Sequence, residues 1–495
     1  MSTTSRPAQP DPATADATVQ GEPQRPLSER PRRSWSRRPA GGWFRAFWRW
    51  HFYASFLVIP VLLVLAVTGL IYLFRFQLEP LLHADLMRVA VPADTVQQPY
   101  AAQQIAVQDA YPNATVVSMT EPLELGRSTV FSMTMPDGSP RDVYVDPYGA
   151  EVLGALNPDN TLSGTAVRLH GELMAGPKGD YLIELGACWA IVMALTGYYL
   201  FFKGRAARLR RKAAGAVGSA LRSRHALVGS VLGVGLLMLI VTGLPWTGLW
   251  GAKVQELATA NGSSLWSTDP GAISHPTSRL DESLAHSHAH EVPWGLGGSE
   301  VPGAEEEPSE SAANVDTAVT VADREGVRHP MTVALPGDER GVYSVIGYAF
   351  DNPSDERTVH VDRFDGEVVA TYGYDDYPLL AKVVSQGIGL HEGRSLGLVN
   401  FWAAAVFCVL VVVMCVSGPL MWWRRRPRRG SQSALRSMGA PRGRMPIKGT
   451  PVLAAGLIVL GILLPLFGLS LVLVLVFDRF ILRRVPRLAA WFDAV

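Results

Sequence analysis

"HFYASFLVIPVLLVLAVTGL" runs from His51 to Leu70, and "HALVGSVLGVGLLMLIVTGL" runs from His225 to Leu244. Each opens on a histidine and closes on Val-Thr-Gly-Leu, so Gly69 follows His51 by 18 positions and Gly243 follows His225 by 18. A second pair of stretches runs from His170 to Gly197 and from His391 to Gly418, 27 positions in each case. Their glycines follow Thr196 and Ser417. A chain that repeats a histidine-to-glycine spacing twice in apolar sequence is built from two copies of one unit.

Five apolar blocks are long enough for a hydrocarbon core, which takes roughly 20 helical residues. They lie at Phe52–Arg75, Tyr181–Phe202, Ala226–Trp250, Leu398–Trp423 and Val452–Phe477. The first begins too late and runs too long for a secretory signal. The fold class expected is a polytopic α-helical membrane protein: two tandem helix–α+β domain–helix units around a four-helix bundle, plus a C-terminal membrane helix. The divisions are a tail at 1–42, membrane helices at 43–75, 181–202, 226–250 and 398–423, and α+β domains at 76–180 and 251–397. Basic linkers occupy 203–225 and 424–449, and a fifth helix with its tail occupies 450–495. That last block holds Pro465 and ends in "RFILRRVPRLAAWFDAV"; one crossing is expected, although it sets those arginines against the charge rule.

The 45 Lys and Arg residues nearly balance the 44 Asp and Glu, giving a formal charge of +1. That total averages basic inner segments with more acidic domains. "RPRRSWSRRP" in the Pro- and Ser-rich tail and both linkers carry the positive charge, so they are expected in the cytoplasm, with the N-terminus. The two α+β domains then face outward, and lipid rather than nucleic acid is the surrounding partner. Cys188, Cys408 and Cys415 all lie in apolar blocks. The outer domains therefore carry no disulfide framework, and the bland reading of these cysteines is helix packing. No C-x-x-C-H occurs, which excludes covalent c-type haem attachment, and no Rossmann or P-loop fingerprint is present.

The domains repeat as well. "YVDPYGAEVLG" from Tyr144 and "HVDRFDGEVVA" from His360 each read as strand, turn, strand. A candidate helix lies upstream of each, "AAQQIAVQDAY" and "VDTAVTVADREGV". On these strand pairs and on "WRWHFYASFLVIPVLLVLAVTGLIYLF" the chain resembles the PepSY-associated transmembrane family, over most of residues 43–480. The resemblance implies a bacterial inner-membrane protein similar to iron-regulated, haem-containing ferric-siderophore reductases. The long basic tail and the insert containing "AHSHAH" depart from the minimal family pattern.

Ionisable residues at membrane depth are costly and usually functional. A lone histidine at a helix end is more often a packing residue, but four at repeat-related positions form a set. His51 and His225 fall at the inner ends of their helices, and His170 and His391 at the outer ends. One imidazole from each repeat suits the two axial positions of a haem iron, whereas a closed zinc site needs two further ligands per level. The expectation is two bis-histidine b-type haems, one on His51 and His225 and one on His170 and His391. A helix rises about 1.5 Å per residue, which brings Gly69 and Gly243 level with the outer pair and Gly197 and Gly418 level with the inner pair. There they would make room for the macrocycle; close helix packing also favours glycine. His170 lies too far from Gly197 for one continuous helix in the membrane, so Pro177 and Gly179 point to a separate short helix.

The expected function is electron transfer outward to a ferric siderophore or other ferric chelate, from quinol or a cytoplasmic reductase. No catalytic side chain is assigned. Two other readings remain: a membrane-anchored regulator of an extracytoplasmic protease, and a transporter of haem or an iron chelate. His286, His288 and His290 suit a transition metal but lie in an acidic loop. His83, His275, His329 and His360 read as surface or packing residues.

Overall fold

The computed structural model describes residues 42–261, 278–279, 300–304, 313–338, 340–347, 352–425, 440 and 450–492. His275, His286, His288 and His290 lie outside them. Five helices are long and apolar enough to cross a membrane: Gly42–Leu73, Pro177–Ala213, Ser219–Trp246, Gly397–Arg424 and Pro465–Leu482. The chain is a multi-pass membrane protein.

Four of these form a ring. Helix α1 (Gly42–Leu73) packs against α4 (Pro177–Ala213) and α8 (Gly397–Arg425), and α5 (Ser219–Gly243) packs against the same two. Small residues let the backbones approach, as lipid-embedded helices require. A Cβ on Gly186 of α4 would strike Val61 of α1, and one on Gly235 of α5 would strike Phe407 of α8. Helix α4 runs on past Phe202 through "KGRAARLRRKA" to Ala213. The basic sequence there is helical, because Arg, Lys and Ala all favour helix and cations suit a helix C-terminus.

At one end of the ring the chain builds a sheet of eight strands. Strands β1 (Thr115–Thr120), β2 (Thr129–Thr134), β3 (Pro140–Asp146) and β4 (Glu151–Leu156) come from the first domain. After a two-stranded β5–β6 pair (Ser278–Arg279, Glu300–Val301), the second domain supplies β7 (Met331–Ala334), β8 (Tyr343–Gly347), β9 (Arg357–Val361) and β10 (Val368–Gly373). The order is β10-β9-β8-β7-β1-β2-β3-β4. The two groups of four meet at β1 and β7, which pair antiparallel through Ser118–Ala334, Met119–Val333 and Thr120–Thr332. Helices α2 (Tyr100–Ala110) and α6 (Val315–Arg324) cover one face. Val107 of α2 and Val319 of α6 share one core with Phe131, Val143, Val333 and Val359 of the strands. Asp316 of α6 accepts the Tyr100 and Ala101 amides at the start of α2 (2.8 and 2.9 Å).

The fifth apolar block is not one continuous helix. It is two helices, α9 (Thr450–Leu463) and α10 (Pro465–Phe477), broken at Leu464 with φ −124° and ψ 87°. Pro465 has no N–H to continue the ladder and restrains the residue before it to extended backbone. The chain doubles back there: a Cβ on Gly461 would sit 3.1 Å from the Cα of Gly468. Residues seven apart in a continuous helix are separated by roughly 10 Å. The returning limb passes α4, where Trp189 donates to Ser470 (3.0 Å). It ends beside the start of α1, where Arg49 and Tyr53 donate to the Phe492 carbonyl (3.3 and 2.5 Å). The terminal arginines therefore lie at the end of the ring where α1 begins.

Candidate functional site: four anchored imidazoles

His170 and His391 stand on short helices set apart from the long ones. Helix α3 (Leu162–Glu172) carries His170 in its last turn, and α7 (Leu379–Glu392) carries His391 in the same place. Thr161 caps α3 by accepting the Gly164 amide (3.0 Å). Leu173, in the left-handed region at φ 50°, stops α3, and Pro177 opens α4. A Cβ on Gly179 would run into the Glu172 carbonyl, so the two helices abut only because that position is glycine. Gly393, at φ 83°, ends α7 in the same manner. His51 and His225 lie within α1 and α5 near their starts.

Each imidazole meets a hydroxyl on a neighbouring helix. The Nδ1 of His170 is 2.9 Å from Thr68 Oγ1, and that of His391 is 3.0 Å from Thr242 Oγ1. His225 Nδ1 is 3.1 Å from Ser417 Oγ. His51 Nδ1 is 2.9 Å from the Met193 carbonyl and 3.4 Å from Thr196 Oγ1. The direction of these bonds follows from the hydroxyl proton. Thr68, Thr196 and Thr242 donate it to the carbonyls of Val64, Val192 and Met238 one turn earlier in their own helices (2.7, 2.7 and 3.0 Å). Ser417 donates to Met414 (3.2 Å). Where the hydroxyl proton is directed to its own helix, the hydroxyl accepts and Nδ1 of the imidazole carries the hydrogen. Nε2 is then the lone-pair nitrogen in all four rings, and it has no hydrogen-bond partner among the described residues. An imidazole held at Nδ1 in this way presents Nε2 as its free nitrogen.

The histidines also associate across the ring. His170 and His391 have ring centroids 6.3 Å apart with planes at 87°. Trp246 stacks on His391 at 5.9 Å and 27°. His225 and His51 lie within electrostatic reach of one another.

Three of the four glycines support an imidazole. A Cβ on Gly243 would be 3.0 Å from His391 Cε1, one on Gly197 3.2 Å from His51 Cε1, and one on Gly69 3.5 Å from His170 Cε1. The neighbour each glycine meets is thus the ring itself. Gly418 differs from the expected place beside His225: its Cβ direction points at Ile59 of α1, 3.6 Å away, and only Ser417 turns toward His225. The sequence alone did not mark the hydroxyls of Thr68, Thr196, Thr242 and Ser417 as partners of the histidines. Their signal was present, since each immediately precedes a glycine of the repeat.

Around the sheet-side pair is a buried ionic network. Arg394, two residues beyond the helix that carries His391, pairs with Glu356 (2.9 Å) and Glu392 (2.7 Å). Ser385 of α7 donates to the other oxygen of Glu356 (3.3 Å). Burial pushes the Glu356 carboxyl upward in pKa, with Arg394 opposing that shift. The network ties the segment before β9 to the helix that carries His391.

The remaining histidines differ. His360 is fully buried in strand β9, bonded to Ser344 (2.9 Å) and stacked on Tyr372, and burial pulls its pKa down to about 3. His83 lies near Glu79 (3.7 Å). His329 is no simple surface residue. It spans the joint between the two groups of strands, with Nδ1 on Glu121 (2.6 Å) and Nε2 on Asp323 (3.3 Å). Glu121 is buried and also accepts from Tyr100 Oη (2.9 Å) and the Met331 amide (2.8 Å). Partial burial disfavours charge on His329, but the bonds and charge of Glu121 and Asp323 outweigh it and raise its pKa. Cys188, Cys408 and Cys415 are unpaired thiols within the helices. Among the described residues no cluster of three or more His, Cys, Asp or Glu could hold a metal ion. The two-nitrogen sets above are what these residues offer.

The family model of the PepSY-associated TM region matches residues 48–425. No curated protein matches the chain.

Proposed function

Because the chain belongs to the PepSY-associated TM family, we propose that it carries electrons across the bacterial inner membrane to a ferric siderophore or other ferric chelate. Two b-type haems, each bound by one histidine from each of two repeats, would form the path. His51 and His225 hold the cytoplasmic one; His170 and His391 hold the one beneath the outer sheet. Quinol or a cytoplasmic reductase supplies the electrons. The N-terminus and both basic linkers lie in the cytoplasm.

The observation that carries this reading is the set of four Nδ1–H anchors, which leave four Nε2 lone pairs. Helix packing alone needs no common tautomer. The His170–His391 spacing agrees. The two rings, with centroids 6.3 Å apart, are close enough for one metal ion to be held between a nitrogen of each.

Haem iron supplies one-electron chemistry at a potential set by its axial ligands and their hydrogen bonds. The chain's residues do the rest. Thr68 and Thr242 fix the ring orientation and raise the basicity of Nε2. Trp246 and the apolar helix faces keep water from the rings, and the α3 and α7 termini hold them under the sheet. Reduction of a ferric chelate to Fe(II) weakens its hold by hard oxygen donors and frees the metal.

The test begins with the purified protein, which should be red with a reducible b-type spectrum. His51→Ala or His225→Ala should each remove about half of the haem. In His391→Ala the remaining haem should still accept electrons from the donor while Fe(II) production from the ferric chelate stops. A colourless, folded protein that takes up no added haem would end the proposal. Chelate reduction at the wild-type rate in His391→Ala would end the two-haem path.

A further inference from the structure

Glu184 is fully buried in α4, within a helix apolar enough to span the membrane. Its Oε2 accepts the amides of Leu249 (3.3 Å) and Trp250 (3.1 Å) at the start of the helix Trp250–Ala260. Its Oε1 is buried with no hydrogen-bond partner. A capping role uses one oxygen. The second, bare oxygen is a cost that capping does not explain, and an intramembrane carboxyl is by default functional.

The surroundings supply a path. One turn toward the sheet side, Asp180 is partly exposed and accepts the Gly248 amide (2.6 Å). Glu172 of α3 lies near enough to act on it. One turn deeper lies Cys188, packed with Val58, Leu464 and Phe467. The ionisable groups facing Glu184 are thus Asp180 and Cys188 on its own helix. The faces of α1 and the α9–α10 turn are apolar, and Trp250 Nε1 is held by the Leu463 carbonyl (2.8 Å). The segment that binds Glu184 is continuous with the one that supports His391: Gly243 carries the ring, Trp246 stacks on it, and Leu249 and Trp250 bind the carboxyl.

We propose that Glu184 is a proton-binding site, reached from the sheet-side surface through Asp180, that fills when the iron between His170 and His391 is reduced. An electron entering a low-dielectric interior is stabilised by a compensating positive charge. An electron arriving from the donor at the group held by His170 and His391 would be matched by one proton taken from outer water, which would convert the Glu184 carboxylate to a carboxylic acid. When the electron passed on to the ferric chelate, the proton would return to that water, and no other bond would change. The timing rests on the two-haem reading; the site itself does not.

Infrared difference spectroscopy of the full-length protein tests it. Reduction should bring up the carbonyl stretch of a buried carboxylic acid, which shifts in heavy water. Glu184→Gln keeps an oxygen for the two amides and should lose the band while retaining haem content and melting temperature. Glu184→Asp should move the band rather than remove it, and Asp180→Asn should slow its appearance. A band that persists in Glu184→Gln, or none on reduction of a haem-loaded sample, overturns the proposal. If the protein carries no haem, reduction gives no difference spectrum and the electron-transfer reading fails by itself. A pH titration of the same band, which needs no haem, then decides the site: no titrating band lost in Glu184→Gln overturns it.

Discussion

Replacing the four repeat-related glycines one at a time by alanine should give a graded series set by what each new methyl meets. Glycine in a helix interior costs about 1 kcal/mol relative to alanine, so alanine in open space stabilises by up to that amount. At Gly418 the Cβ meets only Ile59 Cδ1 at 3.6 Å, an ordinary contact. Gly418→Ala should therefore be neutral or stabilising. At Gly69 the His170 ring is 3.5 Å away, and the change should be tolerated. At Gly197 the gap closes to 3.2 Å and at Gly243 to 3.0 Å, so the imidazole must move by a few tenths of an ångström. His391 has little freedom to move, with Thr242 on Nδ1 and Trp246 on its face. Overpacking of this kind costs about 1–3 kcal/mol, so Gly243→Ala should come out destabilised by up to about 2 kcal/mol once the helix gain is subtracted. Thermal unfolding in detergent reads the order; if haem is bound as proposed, its absorption band should also shift in Gly243→Ala and Gly197→Ala but not in Gly418→Ala. Equal melting temperatures for Gly243→Ala and Gly418→Ala would refute the ring-on-glycine geometry.

Arg394→Met should leave Glu356 a buried carboxylate without its cation and destabilise by about 3–5 kcal/mol; adding Glu356→Gln should recover part of the lost melting temperature. The His329 clasp should make stability depend on pH. Its folded pKa is raised, so its contribution is whole below the unfolded value of about 6.5 and is lost as pH rises through the folded value. The melting difference between wild type and His329→Gln should shrink as pH rises above about 6.5, and a constant difference would count against the clasp. A reporter fused after Val495 should lie on the same side as one fused to the N-terminus, because the chain returns to Arg49 and Tyr53. A cysteine at Arg210 should resist labelling from outside intact cells.

The parts of this fold legible in the sequence are those written in one dimension. The membrane blocks, the 18- and 27-residue spacings and the two strand pairs rest on local pattern, and helix or hairpin geometry follows from local pattern. The reversal at Leu464 was hidden because hydropathy records how apolar a run is, not which way it travels. Gly461 and Gly468 serve the turn only as a pair. The β1–β7 joint was hidden for a different reason: nothing in "TVVSMT" names "MTVA", about 200 residues later, as its partner. His329 could not be assigned until Glu121 was brought to it by that pairing. At the candidate site the histidines stood out by repetition, but the hydroxyls that set their tautomer were overlooked beside the more conspicuous glycines.

The β1–β7 joint also constrains what the molecule can do mechanically. Eight strands in unbroken order act as a girder laid across the ends of the helices, bolted at mid-span by the Asp316 cap on α2 and the Glu121–His329 contact. A carrier that rocks one half against the other to open a passage would have to shear that girder or unzip its central pair on every cycle. A relay for electrons makes the opposite demand: its stations must keep their separation, because transfer falls away steeply when they drift apart. Staples placed across the joint, such as a disulfide between the paired positions Ser118 and Ala334, should therefore leave turnover untouched in a relay and arrest it in a rocking carrier.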